Sequence, residues 1–286
     1  MSVPPSDSIE VRPPDNGAGS RRGWLSLIIS TAIIFGLGAL LATWWGGLNA
    51  PGASSTMPTA SSESASPRIE VVDLRPHARP FARFVPGGTP PPGGWPIIVF
   101  LHGRMEQGSD PLRAMSVGLG PALLRDASRF PAVVIFPQFP DGDNWKSDER
   151  AADVIAALDQ TLGSVPTSVA RVTLTGLSMG GQGVYEVASR HPDRFKRLGP
   201  LCGWSSGDAA VLAQLPIWIH HGEKDSIIPA SESVTMRERL TAAGATDVRL
   251  NLYPDDGHDC WTRAYANPEF IAWLIAPHPA SATGGE

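Results

Sequence analysis

Cysteine is nearly absent from this 286-residue chain: Cys202 and Cys260 are the only two. That number permits at most one internal disulfide and is too few for a tetrahedral all-cysteine zinc site, so neither a disulfide scaffold nor a metal-stapled fold is expected. Runs of basic residues are also missing, the longest being the pair Arg21-Arg22, and the formal net charge is -5. A nucleic-acid footprint needs clustered positive charge, so polyanion binding drops out. No internal repeat is visible. Charged residues make up only 18% of the chain against 42% hydrophobic, a balance that can bury a core and excludes disorder over the full length.

Charge is absent altogether between residues 23 and 62. Within that gap, residues 24–45 (WLSLIISTAIIFGLGALLATWW) form an apolar run of 22 residues, long enough as a helix to cross a hydrocarbon core. Trp24 and Trp44-Trp45 supply interfacial anchors, Arg21 and Arg22 precede the run, and the next basic residue is Arg68. The positive-inside bias then leaves residues 1–20 cytoplasmic and exports the chain beyond residue 46. A cleaved signal peptide competes with an uncleaved anchor, because Ser20-Arg21-Arg22-Gly23-Trp24-Leu25 resembles a twin-arginine export motif; a buried soluble helix is a third reading. The apolar run exceeds the usual signal core, and Leu48-Asn49-Ala50 before Pro51 is a poor cleavage site, which favours the anchor. The expected organisation is a disordered tail at 1–20, an anchor at 21–47, an Ala/Ser/Pro-rich linker at 48–67, a folded domain at 68–278 and a flexible tail at 279–286. The expected location is the cell membrane with the domain on the extracytoplasmic side, or secretion if the leader is cut.

Past residue 68 the pattern changes to short β-branched runs alternating with helical spacing. Residues 69–74 and 82–85 read as opening edge strands, followed by strands at 97–101, 132–136, 172–175, 197–201, 217–220 and 248–253. Several are continuously apolar, as strands buried on both faces of a parallel sheet require. Helical spacing appears at 149–162, 181–190, 230–243 and 268–275. Such alternation predicts an α/β class with a mainly parallel sheet covered on both sides and functional groups at the carboxyl ends of its strands.

Gly176-Leu177-Ser178-Met179-Gly180 fits G-x-S-x-G and lies directly after a strand and before a helix, the context of a nucleophile elbow. A serine hydroxyl needs a base, and the base an orienting acid. Asp225 lies 47 residues beyond Ser178 and His258 a further 33, each in a loop after a later strand, in the order serine, acid, histidine. Glu223 and Asp208 are weaker alternatives for the acid, and His220 and His221 read as packing or hydrogen-bonding residues. Oxyanion donors are expected from the backbone N–H groups of Met179 and of Arg104, the latter in the loop His102-Gly103-Arg104.

Leu101-His102-Gly103, the elbow with Gly181, His221-Gly222-Glu223-Lys224-Asp225 and Gly257-His258-Asp259-Cys260-Trp261 together resemble the α/β-hydrolase superfamily. The pattern is most similar to exported serine esterases and to peptidases related to the phospholipase/carboxylesterase, polyhydroxybutyrate depolymerase and prolyl-oligopeptidase groups. Phe136-Pro137-Gln138 and Arg190-His191-Pro192-Asp193-Arg194-Phe195 extend the likeness over residues 68–277. Dienelactone hydrolases are similar in shape but carry cysteine at the elbow. The resemblance implies an α/β-hydrolase fold, with Ser178, Asp225 and His258 as nucleophile, acid and base.

Only 14 residues, 202–215, separate two consecutive strands where many relatives insert a cap, so no large cap domain is expected. His102, Trp145, Trp204 and Trp261 fall at strand ends and are candidates to contact substrate. The expectation is a serine hydrolase cleaving small or lipid-like carboxylic esters, with no cofactor or metal, no nucleic acid and no obligate protein partner. A prolyl-oligopeptidase-type peptidase, an acyltransferase and a non-catalytic envelope-binding module are the alternatives. Whether Cys202 and Cys260 pair is left open, since sequence does not give their separation.

Overall fold

The computed structural model describes residues 66–277. Expected features at 1–20, 21–47 and most of the linker lie outside them. Among the described residues no helix is long and apolar enough to cross a membrane.

Eight strands form one sheet: β1 (Arg68–Val72), β2 (Phe81–Val85), β3 (Trp95–Leu101), β4 (Val133–Pro137), β5 (Thr167–Leu177), β6 (Arg197–Leu201), β7 (Ile217–Gly222) and β8 (Val248–Tyr253), in spatial order β1-β2-β4-β3-β5-β6-β7-β8. β1 and β2 pair antiparallel, as do β2 and β4; every later pairing is parallel. Among the described residues seven α-helices accompany the strands: α1 (Leu119–Arg125), α2 (Asp148–Ser164), α3 (Met179–Arg190), α4 (Ala209–Leu212), α5 (Ser231–Ala242), α6 (Trp261–Ala266) and α7 (Pro268–Ile275).

Alternate residues of the central strands feed two cores. Ile97, Val99 and Leu101 of β3 pack with α2, α3, α4 and α5, whereas Ile98 and Phe100 of the same strand pack with α1, α6 and α7. A strand with period-two side chains and two apolar faces must be covered twice, which is why these strands read as unbroken apolar runs. Helix boundaries follow local chemistry. Ser147 caps α2 by accepting from Arg150 N–H at 3.2 Å, with Asp148 and Glu149 in the first turn, and Asn267 caps α7 ahead of Pro268.

Three sequence expectations change here. β2 is not an edge strand: it is buried along its length because β4 pairs on its far side, leaving β1 as the edge at that end of the sheet. α1 and α6 carry no recognisable signal of their own, being too short for helical periodicity. β5 is an eleven-residue strand, and the apolar stretch at its end is only the buried part. The segment between β6 and β7 holds nothing larger than the four-residue α4, so among the described residues no cap domain covers the carboxyl ends of the strands.

Candidate active site

Ser178 sits between β5 and α3 with φ 55 and ψ -118, a left-handed conformation that non-glycine residues rarely adopt. Its N–H donates to Leu201 O at 3.0 Å, which ties the elbow to the end of β6. The turn is tight because Gly180 has no side chain: a Cβ there would stand 2.0 Å from Leu101 O at the end of β3. The ends of β3, β5 and β6 converge on one spot, so the hydroxyl is raised at the carboxyl edge of the sheet.

Two distant loops meet it. His258, after β8, places Nε2 2.9 Å from Ser178 Oγ and Nδ1 2.7 Å from Asp225 Oδ2. Asp225, after β7, is fully buried at its side chain and its Oδ1 accepts from Ile227 N–H at 2.8 Å and Ile228 N–H at 2.9 Å. Burial alone would raise this carboxyl, but the hydrogen bonds from His258, Ile228 and Ile227 outweigh it and hold the group below its ordinary range. An ionised Asp225 fixes the imidazole with its proton on Nδ1, leaving Nε2 to accept from the serine hydroxyl.

His221, read from sequence as a packing or hydrogen-bonding residue, adds a contact to the acid. Burial lowers its pKa, and its Nε2 lies 2.9 Å from Ile228 O and 3.2 Å from Asp225 Oδ2, with Nδ1 2.7 Å from Ser233 Oγ. A carbonyl can only accept, so the network assigns the proton to Nε2, and the Ser233 hydroxyl donates to Nδ1. The neutral ring thereby buttresses the carboxylate alongside His258. His220 points elsewhere, with Nδ1 2.8 Å from the Tyr253 hydroxyl and its ring against Phe270.

A cleft of about 820 Å³ opens over Ser178, lined by Leu177, Val117, Ile227, Trp204 and Trp261 among others. Trp204 and Trp261 stand where sequence placed them, the latter edge-on to the His258 ring at 5.3 Å. Arg104 and Met179 border the same cleft, and neither N–H finds a partner among the described residues.

Trp145 and His102 do not contact this space. Trp145 is 2% exposed, donates from Nε1 to His102 O at 2.9 Å, and fills the room left by Gly183 on α3; its neighbours Asn144 and Lys146 reach the cleft instead. His102 is buried under the loop between the rings of Phe139 and Trp145, with Nδ1 2.7 Å from Gly103 O. Both residues hold the 102–104 loop from within the fold. Glu106, which sequence reasoning passed over, is buried yet lines the cleft; an acid three residues past Gly103 was the available signal.

Burial pushes the pKa of His102 down to about 4 and that of His220 to about 3. In the unfolded chain each protonates near 6.5, so below that pH the unfolded state binds protons the folded state refuses. Stability is therefore expected to be full above pH ~6.5 and to fall toward pH 4 by about 1.4 kcal/mol per pH unit for each histidine. Urea unfolding at pH 7 and pH 5 measures this; equal midpoints and slopes at the two values would contradict it.

Cys202 and Cys260 are free and buried behind the site. Ligand atoms of Cys202, Asp225 and His258 lie within 4.8 Å of one another, but the carboxylate and imidazole in that group are already committed to the hydrogen-bond chain with Ser178.

Comparison with known proteins agrees with this architecture. Residues 134–269 match the dienelactone hydrolase family, although the elbow carries Ser178. The chain is 26% identical over 223 residues to the poly(3-hydroxyoctanoate) depolymerase of Pseudomonas fluorescens, covering 68% of this chain and 78% of that one. It is 32% identical over 191 residues to the biotin biosynthesis bifunctional protein BioHC of Teredinibacter turnerae, covering 59% of this chain and 31% of the relative. Among solved structures a thermostable esterase superposes with a TM-score of 0.65 at 26% identity, over 75% of this chain and 63% of the esterase. The mixed eight-stranded sheet and the serine elbow between β5 and α3 are those of the α/β-hydrolase fold, and the proteins this chain is similar to are hydrolases that include esterases.

Proposed function

We propose that this protein cleaves carboxylic esters through an acyl-enzyme formed on Ser178. The observation that carries the reading is the unbroken chain from Ser178 Oγ to His258 at 2.9 Å and from His258 to Asp225 at 2.7 Å. His258 takes the hydroxyl proton as Ser178 attacks the ester carbonyl, and Asp225 stabilises the imidazolium that forms. The Met179 and Arg104 N–H groups receive the oxyanion. Collapse of the tetrahedral species expels the alcohol with a proton from His258, and a water activated by the same imidazole releases the acid.

The cleft suits an acyl chain longer than acetyl. Its walls are largely apolar, and its mouth exposes Met105 (76%) and Ile227 (66%), which favours substrates poor in polar groups. The depolymerase relative acts, by its name, on a hydroxyoctanoate polyester, which fits a medium-chain preference. Burial contributes about 0.8 kcal/mol per CH2, roughly fourfold in kcat/KM for each methylene the cleft covers. We further place the catalytic domain, residues 68–278, outside the cytoplasm, held by residues 21–47 through the 48–67 linker.

One experiment addresses both parts. A fluorophosphonate probe applied to fractionated cells expressing the full chain is expected to label Ser178 in the alkali-washed membrane pellet, and p-nitrophenyl butyrate and octanoate to compete better than acetate. An unlabelled, stably folded protein would sink the hydrolytic reading. Label released into the medium would replace the anchor by a cleaved leader, and label in the cytosol would remove export.

A further inference from the structure

Glu106 is an acid that the hydrolytic cycle does not use, yet it stands in the middle of the loop that must supply an oxyanion donor. The short 3-10 turn Arg104–Glu106 follows Gly103 at its N-cap, where φ is -81 and ψ -175 and the N-cap residue has no side chain to accept one of the turn's free N–H groups. A capping box closes such a turn from both ends: the N-cap side chain accepts a later N–H, and a Glu three residues on reaches back to the N-cap N–H. Here only the second half is available.

Gly103 cannot supply the first half, because a Cβ on it would lie 2.9 Å from Glu106 Oε2, 2.9 Å from Leu177 Cδ1 and 3.6 Å from Ser178 Cβ. These distances also place the carboxylate directly against Gly103, a residue that itself faces Ser178. Glu106 is 7% exposed and makes no ion pair among the described residues. The rest of the loop is clamped from outside: Gln138 Nε2 donates to Glu106 O at 2.8 Å, Arg113 Nη2 to Met105 O at 2.9 Å, and Gln107 Nε2 to Asp143 O at 2.7 Å. All three clamps lie at or beyond Met105. None of them holds the Gly103 N–H, at the start of the segment that carries the Arg104 N–H.

We propose that Glu106 is the positioning residue of the oxyanion loop: its carboxylate accepts the Gly103 N–H and so keeps the Arg104 N–H turned toward the carbonyl bound at Ser178. A capping box engages the N–H groups of N3 and of the N-cap and not that of N1, so the Arg104 N–H stays open for substrate. Burial raises the Glu106 carboxyl, while the N–H groups of Gly103 and of Glu106 itself and the nearby Arg113 charge work against that rise, as expected if the carboxylate is an acceptor for the loop. A donor aimed at the wrong angle stabilises the tetrahedral oxyanion less without altering how the acyl chain binds, so the effect belongs in kcat.

This inference rests on the acyl-enzyme reading, and the test separates the two. Glu106→Gln keeps an acceptor oxygen at the same reach, whereas Glu106→Asp keeps the charge but is one methylene too short to meet Gly103. On p-nitrophenyl butyrate, Glu106→Asp and Glu106→Ala are expected to lose about 10- to 100-fold in kcat with little change in KM, less than outright deletion of a donor. Glu106→Gln is expected to stay within about threefold of the wild type, since the acceptor remains. Inhibition by butylboronic acid, whose tetrahedral Ser178 adduct needs the same donors, should weaken in the Asp and Ala variants by the factor lost from kcat/KM. If Glu106→Ala fails to fold, the Asp and Gln pair decides. An active wild type beside an unchanged Asp variant, a Gln variant as poor as the Asp variant, or a loss confined to KM overturns the positioning role and leaves the ester hydrolase standing. A wild type as slow as Ser178→Ala overturns both.

Discussion

Ser178→Ala is expected to lower kcat on p-nitrophenyl butyrate by roughly 10⁴- to 10⁶-fold while the protein stays folded, because every covalent step passes through that hydroxyl. Alanine cannot attack the carbonyl, and the residual rate would come from the oxyanion donors and from binding alone. The companion variant Asp225→Asn asks a finer question. Asp225 Oδ2 receives the His258 Nδ1 proton at 2.7 Å and is approached by His221 Nε2 at 3.2 Å, so two imidazoles depend on a carboxylate at one position. An amide nitrogen turned toward His258 would drive its proton to Nε2, the atom that must accept from Ser178. A loss of about 10⁴ in kcat is the expected scale for a triad acid converted to its amide. Turnover within tenfold of wild type for Ser178→Ala, in a variant with an unchanged melting temperature, would remove Ser178 from the chemistry.

Gly180→Ala is expected to disrupt the fold around the elbow, with no need for any change in chemistry. The new methyl carbon would stand 2.0 Å from Leu101 O and 2.7 Å from His102 O, and both contacts are backbone atoms of β3 and the loop after it that cannot rotate away. Relief requires α3 to lift off the end of β3, which separates Ser178 from the loop that carries Arg104. The cost is about 3–5 kcal/mol, in the upper range of single substitutions. For a domain of this size that is a fall of about 10 °C in melting temperature. Gly163→Ala, in α2, is the matched control: nothing lies within 4 Å of its Cβ position. There the same substitution is expected to be neutral or to stabilise by about 0.5–1 kcal/mol, through helix propensity and a less flexible unfolded chain. Differential scanning of the two variants side by side checks both; equal melting temperatures would show that the elbow can relax.

Much of the site was legible before any coordinates, for reasons that are local. G-x-S-x-G declares itself because a strained turn needs small neighbours within a few residues, and Asp225 and His258 declare themselves because each follows an apolar strand in a short loop. The tryptophans were harder. Trp145, Trp204 and Trp261 have the same residue type and the same strand-end placement, yet Trp145 is buried at 2% and Trp204 is exposed at 37%. What separates them is Gly183, on an element far from Trp145 in sequence, which opens the space that Trp145 fills. His102 was misassigned for the same reason, since the Phe139 and Trp145 rings that enclose it arrive from another loop. Glu106 gives no such signal, because its burial against Gly103 in the lining of the Ser178 cleft is a tertiary proximity that spacing does not encode.

Sequence by itself determined the class of the domain, the placing of Ser178, Asp225 and His258 after successive strands, and the short β6–β7 connection with no room for a large cap, because periodicity, glycine spacing and loop length are properties of contiguous residues. Tertiary structure alone decided that β2 lies inside the sheet, that His221 contacts Asp225, that Trp145 and His102 pack beneath the 102–104 loop, and that a lone carboxylate lines the cleft. Each of those outcomes depends on which side chains from distant segments compete for the same volume. Close packing settles that competition only when the whole sheet has assembled.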